Sequence, residues 1–345
     1  MDTHYNIIII GAGTAGLAAA TFLAKAKKKV LVLERNKALG LKVCAGGLTI
    51  KDFTELNLPK SIIEKEFKHI NLHIGNHKAI KLQLDQPWIW TCSRENLAQW
   101  QLDQAKSAGA EIRLGSSAKE IYKNRILTDD NLSLHFDYLI GADGSGSLVR
   151  NFLGLKTKKI MVAIQYCIPD RRFKELEIFF DLEKFGPVYA WIFPHQDYVS
   201  VGTGCDPKFI KPNRLKTNLD SWCQKLGIDS AGHQLQAAPI SYDYKGVDFG
   251  NVFLVGDAAG LASGLTGEGI HPAMVSGIEA AKKIINPDYR LPKIKQLVKN
   301  KRLEETALGF YKTNKTITKL MFGLVANLLK NEKFQRKTTH FLTER

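Results

Sequence analysis

Gly11-Ala-Gly13-Thr-Ala-Gly16 stands between an apolar run, residues 5–10, and a stretch rich in alanine and leucine. Glycines at this spacing suit a dinucleotide. Gly11 permits a tight turn, Gly13 lets the backbone approach a pyrophosphate, and Gly16 lets a helix pack closely on a strand. The pyrophosphate would lie at the helix N-terminus, where free N–H groups and the dipole favour an anion. Glu34 ends the next apolar run, placed to accept hydrogen bonds from a ribose diol, with Arg35 beside it. Far along the chain, Gly256-Asp257-Ala-Ala-Gly260 and Thr266-Gly267-Glu268-Gly269-Ile270 form a second glycine-rich pair. Asp257 at a strand end can accept from a ribityl hydroxyl. A helix over about 269–284 would aim its N–H groups at a flavin's pyrimidine edge, where the reduced ring gathers negative charge. Gly141-Ala-Asp143-Gly144, with Ser147 and Arg150, and Arg94 at a helix start complete a pattern that favours FAD over NAD(P).

Cys44 lies in a glycine-flanked loop, Val43-Cys44-Ala45-Gly46-Gly47-Leu48, where the chain could cross a flavin. A thiol there has three readings: a proton donor, a redox group if its pKa is perturbed, or a small packed residue. Pro187-Val-Tyr189-Ala-Trp191-Ile-Phe193-Pro194 puts Tyr189, Trp191 and Phe193 on one face of a strand at period two. Such an aromatic wall suits a long apolar substrate, and it equally suits ordinary packing of a sheet on helices. His69, His73 and His77 have the spacing of helical metal ligands. Their segment instead alternates like strands about a Gly-Asn turn, so no metal site is expected.

The scaffold for these groups is legible as alternating elements. Residues 5–10, a glycine turn, a helix over about 14–27 and a strand over 29–34 span the ~30 residues of a right-handed crossover unit. Residues 93–108 read as a helix with Ser93 as N-cap and Gly109 at its end. Residues 137–143 and 251–257 read as apolar strands. Residues 160–168, 175–181, 188–193 and 198–204 alternate, which predicts an antiparallel sheet with a hairpin turning at 194–197. The expected fold is α/β. A discontinuous Rossmann-type FAD domain with a parallel central sheet covers 1–75, 90–155 and 246–285. An inserted antiparallel β-sheet substrate domain covers 76–89 and 156–245, and a basic helical C-terminal segment covers 286–345.

A chain of 345 residues, 44% hydrophobic and 24% charged, reads as a globular protein of two fused domains rather than a disordered one. Five scattered cysteines without a CxxC pair give neither a disulfide framework nor a zinc site. No apolar stretch approaches the ~20 residues that span a bilayer, and the N-terminus lacks the features of a signal peptide, so a cytoplasmic protein is expected. The net charge of +15 is concentrated at the C-terminal end, where residues 281–345 hold 16 Lys/Arg against 5 Asp/Glu. There Ile317, Leu320, Met321, Leu324, Val325, Leu328 and Leu329 recur at helical spacing, flanked by Lys315, Lys319 and Lys330. A basic amphipathic helix of this kind could lie at an anionic membrane, making the protein peripheral at the membrane's inner face, or cap the protein's own core or a dimer. Nucleic acid is not an expected partner, because the basic residues are not interleaved with a stacking aromatic platform.

In this order, Gly11–Gly16 spacing with Glu34, Arg94, Gly-Ala-Asp143-Gly and Gly-Asp257-Ala-Ala-Gly, the chain resembles the FAD-dependent family that includes aromatic hydroxylases and geranylgeranyl reductases. The aromatic segment 187–194 and the loop 43–48 are similar to those of the geranylgeranyl reductase branch, with Ala45 where a glycine is common. Motifs and resemblance together give an FAD-binding set of Gly11, Gly13, Ala15, Gly16, Glu34, Arg35, Ala45, Arg94, Asp143, Gly256, Asp257, Gly267, Gly269 and Ile270. The resemblance implies reduction of C=C bonds in a polyprenyl chain, with hydride from flavin N5, Cys44 near the reacting centre, and Tyr189, Trp191 and Phe193 lining a channel for the isoprenoid. With no second GxGxxG, electrons would come from transiently docked NAD(P)H or a ferredoxin-like protein. Two other readings remain open: a flavin-dependent monooxygenase or halogenase on a small aromatic or apolar substrate, and a non-catalytic flavin-binding protein at a membrane surface.

Overall fold

Isoleucine at positions 7 to 10 stiffens extended backbone, and a strand buried on both faces can hold all four side chains. In the computed structural model, which describes residues 3–75 and 78–344, they end a strand over Thr3–Ile10. That strand is central in an eight-stranded sheet. Five of its strands run parallel, in the order Val252–Leu254, Ser133–Gly141, Thr3–Ile10, Val30–Glu34 and Glu111–Leu114. Among the described residues the helices are α1 (Thr14–Lys25), α2 (Ile50–Leu56), α3 (Arg94–Ser107), α4 (Leu148–Phe152), α5 (Pro212–Lys225), α6 (Gly256–Ala259), α7 (Ile270–Ile285), α8 (Pro292–Thr313), α9 (Lys315–Leu328) and α10 (Glu332–Glu344). Helix α1 lies against α7 with almost no space between them: a methyl on Gly277 would stand 2.2 Å from the Ala15 carbonyl oxygen. This contact joins the two ends of the nucleotide-binding unit, more than 250 residues apart in the chain.

A second sheet has seven strands in the order Gln236–Ser241, Ile160–Ile168, Val199–Cys205, Ala190–Pro194, Leu176–Phe180, His69–Ile74 and Ile80–Gln83. All its pairings are antiparallel except that between Leu176–Phe180 and His69–Ile74. A three-stranded sheet, Gly47–Thr49, Ile89–Cys92 and Ile63–Phe67, accompanies the two large ones. The α/β class with an inserted antiparallel sheet is therefore correct.

Several boundaries differ from expectation. His69–Ile74 pairs within the second sheet, although the sequence pattern places residues up to 75 in the nucleotide domain; its alternating burial fits a sheet with different neighbours on its two faces. The strand expected over 251–257 stops at Leu254, because Gly256 takes a left-handed φ of +57° and opens α6 instead. His69 and His73 lie on a strand and pair with Glu175 and Glu177 at 2.6 and 2.5 Å, while His77 lies outside the described residues. Among the described residues no group of His, Cys, Asp and Glu is arranged to hold a metal ion, and no helix is long and apolar enough to cross a membrane.

Candidate functional site

The glycine turn is built as its spacing dictates. Gly11 has φ +103°, and an added methyl there would stand 2.4 Å from the Ala142 carbonyl oxygen; one on Gly16 would stand 2.0 Å from the Gly11 oxygen. Gly13, the N-cap of α1, is different. A methyl on it would meet only the Ala142 oxygen, at 3.9 Å, and the residue is exposed, so open space lies in front of the helix N-terminus. Glu34 is buried with its carboxylate turned onto the turn itself: Oε2 accepts from the Ala12 N–H and Oε1 from the backbone and side-chain nitrogens of Asn36, all at 2.9 Å. A carboxylate offers about four lone-pair sites, so one is left for a ribose hydroxyl. Arg35 is exposed to solvent.

Arg94 opens α3 behind the Ser93 cap, which accepts from the Glu95 and Asn96 amides. Its Nη2 donates to Thr14 Oγ1 at 2.9 Å, beside the start of α1, while its buried Nε and Nη1 have no partner. Buried donors on a cation are costly to leave unpaired. An anion at the α1 N-terminus would satisfy them, together with the free N–H groups of the turn. Asp143 has one oxygen on the Leu148 and Val149 amides of α4, and its other oxygen is buried without a partner; burial raises its pKa. Unpartnered atoms on Arg94 and Asp143 and the open front of Gly13 are the features expected of a protein folded around FAD.

Asp257 is buried in the first turn of α6, and its Oδ2 accepts from Lys42 Nζ at 2.5 Å and Ser145 Oγ at 3.0 Å. Gly256 takes the conformation only glycine adopts easily, and its N–H donates to Ser276 Oγ of α7 at 2.9 Å. Gly267 has φ +70° and open space on the side where a methyl would stand, Gly269 is the N-cap of α7, and Ile270 begins that helix buried. Arg150 spends its Nη atoms within the protein, while its buried Nε has no partner. It is fully buried and bolts the loop after Asp257 to the chain leaving the second sheet, donating to the Ala258 oxygen at 3.1 Å and the Asp243 oxygen at 2.8 Å.

The loop bearing Cys44 is held by a buried imidazole. His195 Nε2 is 3.0 Å from the Ala45 oxygen, and Nδ1 is 2.6 Å from Glu64 Oε2. Both partners are acceptors, so the ring needs a proton on each nitrogen or Glu64 must carry one. A methyl on Gly46, at φ +76°, would stand 2.7 Å from the His195 ring, and the Gly46 N–H donates to Cys44 Sγ at 3.4 Å. Cys44 is half-buried and reduced, whereas burial pushes the neighbouring Cys92 thiol up to about 12.

The strand Ala190–Pro194 alternates between two cores, as period two requires. Ala190 and Ile192 join the core against α5, and Trp191 and Phe193 join a cluster with Tyr189, Phe180 and, from the C-terminal helices, Phe322, Ala326 and Leu329. Trp191 packs on Gly202 and donates to Ser200 Oγ at 2.9 Å, and Phe193 packs on Gly47. Both are buried. Tyr189 is half-buried, and its hydroxyl donates to the Thr266 oxygen at 2.6 Å. Burial raises its pKa well above that of free tyrosine, which keeps the phenol a donor.

The structure thus places Gly11, Gly13, Gly16, Glu34, Arg94 and Asp143 around the start of α1 and Gly256, Asp257, Gly267, Gly269 and Ile270 around the start of α7. Cys44 is packed on the cluster containing Ile270, and Tyr189 is bonded to Thr266. Arg35 lies apart, in solvent, and Ala45 is held by His195. Two surface clefts beside α8, both lined by Tyr244, Val298 and Arg302, hold none of these side chains. Lys42, Ser145, Glu64, His195 and Asp243 escape the sequence reading. The partners named above lie 93 to 215 residues away, so no local pattern marks these contacts.

Fold and site together define an FAD-dependent oxidoreductase. The family model described as an FAD binding domain matches residues 4–287. The chain is 34% identical over 294 residues to an uncharacterized protein of Methanosarcina barkeri, covering 81% of this chain and 74% of that one. It is 28% identical to the geranylgeranyl diphosphate reductase of Synechocystis, over 90% and 86% of the two chains. A structure of a geranylgeranyl bacteriochlorophyll reductase-like protein from Thermoplasma acidophilum superposes with a TM-score of 0.83 at 23% identity, covering 98% and 96%, which shows a shared fold. The chain belongs to the FAD binding domain family, and its relatives within it include geranylgeranyl reductases.

Proposed function

We propose that this protein reduces C=C bonds of a polyprenyl chain of the geranylgeranyl type. The observation that carries this reading is the hydrogen bond from Tyr189 to Thr266, which ties the aromatic strand to the glycine-rich loop before α7. An apolar aromatic surface and the flavin-binding loop then share one boundary, as a substrate with no polar handle near its reacting carbons requires. The relative named geranylgeranyl diphosphate reductase supports the same substrate class.

Reduced FAD, when bound, supplies a hydride equivalent. Lys42, Ser145 and Asp257 would hold the ribityl side, Arg94 and the α1 N-terminus the pyrophosphate, and the α7 N-terminus the pyrimidine edge. An unactivated alkene has no carbonyl to polarise, so the chain's own contribution is alignment and exclusion of water. Tyr189 lines the apolar side, with Trp191 and Phe193 fixing the wall behind it. Cys44 Sγ is the candidate to hand a proton to the second alkene carbon, on a loop that His195 and Glu64 keep in place. Transiently docked NAD(P)H or a ferredoxin-like protein would deliver the electrons.

The test is anaerobic incubation of the FAD-loaded protein with dithionite and geranylgeranyl alcohol, diphosphate or glycerolipid in detergent, followed by mass spectrometry. Products gaining two hydrogens per bond are expected. Unchanged substrate under all three head groups overturns the reading, as does hydroxylation or halogenation of a small aromatic in a parallel aerobic incubation with NAD(P)H.

A further inference from the structure

The apolar stripe of α9 has two readings in the sequence, one facing the protein's own core and one facing a partner. The structure gives α9 an inward and an outward apolar face, made of different residues. Phe322 and Ala326, with Thr318 and the following Leu329, face the protein and cover the cluster containing Trp191 and Phe193. Ile317, Leu320, Met321, Leu324, Val325 and Leu328 face outward, with Leu320 69% and Leu324 61% exposed. Six large apolar side chains on one helix face exceed the scattered exposure normal for a protein surface, and such patches mark contact sites.

Charge decides what fits this patch. Residues 315–345 carry seven Lys/Arg against two Asp/Glu. Lys330, Lys333, Arg336 and Lys337 are exposed around and just beyond the end of α9, and Lys319 is 71% exposed with Glu183 at 3.0 Å. A second copy packed face to face would bring two basic surfaces together. An anionic bilayer brings the opposite charge and an apolar interior for the leucines.

We propose that α9 docks this protein on an anionic lipid bilayer, lying in the interface with Leu320 and Leu324 buried among the acyl chains and the basic residues of α10 at the headgroups. The inner face of the same helix covers the aromatic cluster beside the flavin loop. The docked helix therefore stands between the bilayer and the region read above as the substrate site, and an isoprenoid held in that bilayer would reach the site without crossing water. The docking itself does not depend on which substrate is used.

The experiment is flotation of the full-length, FAD-loaded protein with vesicles of phosphatidylcholine alone or mixed with phosphatidylglycerol. Binding is expected only to the anionic vesicles, falling at least about tenfold in Leu320→Glu/Leu324→Glu and similarly on raising salt to about 0.5 M. Lys330→Glu/Lys333→Glu, which leaves the apolar face intact, should also weaken binding. Reduction of a detergent-dispersed substrate, measured separately, should stay unchanged in the leucine variant, so that failure to dock and failure of the proposed reaction are told apart. Wild-type protein that ignores both vesicles, or that binds equally well with both leucines replaced, overturns the proposal. So does a concentration-dependent dimer that Leu320→Glu/Leu324→Glu dissociates without any vesicle binding.

Discussion

At the glycine turn the tight contacts are backbone on backbone: a methyl on Gly11 or Gly16 would strike a carbonyl oxygen, and Glu34 spends its carboxylate on three N–H groups of the turn and its flank. Along the aromatic strand the contacts are side chain on side chain or on the glycines that make room for them, Trp191 on Gly202, Phe193 on Gly47, and Tyr189 against Phe180. Backbone geometry is dictated by residue type at fixed spacing, so the cofactor half can be read from a string of letters. Side-chain packing depends on partners brought by the whole fold, so the substrate half shows its period in sequence but not what its ring faces touch.

The sharpest way to break this contrast is within the turn itself. Gly16→Val puts side-chain carbon where the Gly11 oxygen sits, and the protein should fail to fold or lose more than about 4 kcal/mol of stability. Gly13→Val puts its Cβ in ordinary contact with the Ala142 oxygen, at 3.9 Å, and nothing else, so the apoprotein should melt as wild type does while FAD is lost. Thermal melts of both variants with and without FAD check the pair. Yellow Gly13→Val at full occupancy would mean that the pyrophosphate lies elsewhere.

On the aromatic side, Trp191→Ala should cost about 3–5 kcal/mol by chemical denaturation, as removal of a buried indole does, yet leave FAD bound. A cost below about 1 kcal/mol would show that the ring borders empty space rather than core, and would move Trp191 from supporting the wall to touching substrate. Cys44→Ser should retain FAD and slow alkene reduction by about a hundredfold, the range for loss of a positioned proton donor. Unchanged turnover would reduce Cys44 to packing.

What can be read in advance follows the same division. The strand–helix–strand opening, the Ser93 cap, and the glycines before α7 are all visible in sequence, because each is a local rule obeyed locally. Asp257 is visible as a strand-end carboxylate, but Lys42 is not, since 215 residues separate the two. Arg150 follows Gly-Ala-Asp-Gly and so groups with the cofactor motif by position, whereas its guanidinium is turned away to Asp243 and Ala258. Helix α9 shows the limit of periodicity. Its apolar arc is wide enough to offer two faces, and only the fold selects Phe322, Ala326 and Leu329 to face inward. The alternation over His69–Ile74 marks a strand but not its sheet, since alternation does not name a strand's neighbour.

The smallest effect concerns α2, which follows the Cys44 loop and packs against α7. Asp52 caps it, accepting from the Thr49 N–H at 2.7 Å, but it is buried with Oδ1 unpartnered, and burial pushes its carboxyl up to about 6. An unfolded aspartate titrates near about 3.9. Between these values the folded chain holds a proton that the unfolded chain has released, so stability falls as pH rises through the window and then levels off. Two pH units correspond to about 3 kcal/mol at most, and relaxation around the partly hydrogen-bonded group will reduce it. Asp52→Asn keeps an oxygen for Thr49 and removes the buried charge. It should be more stable than wild type at pH 8 by about 1–2 kcal/mol and no more stable at pH 4, as measured by urea denaturation at the two values. A variant equally destabilised at both would mean that the carboxylate's cap outweighs its desolvation, and that α2 is held by charge like the Lys42–Asp257 pair rather than in spite of it.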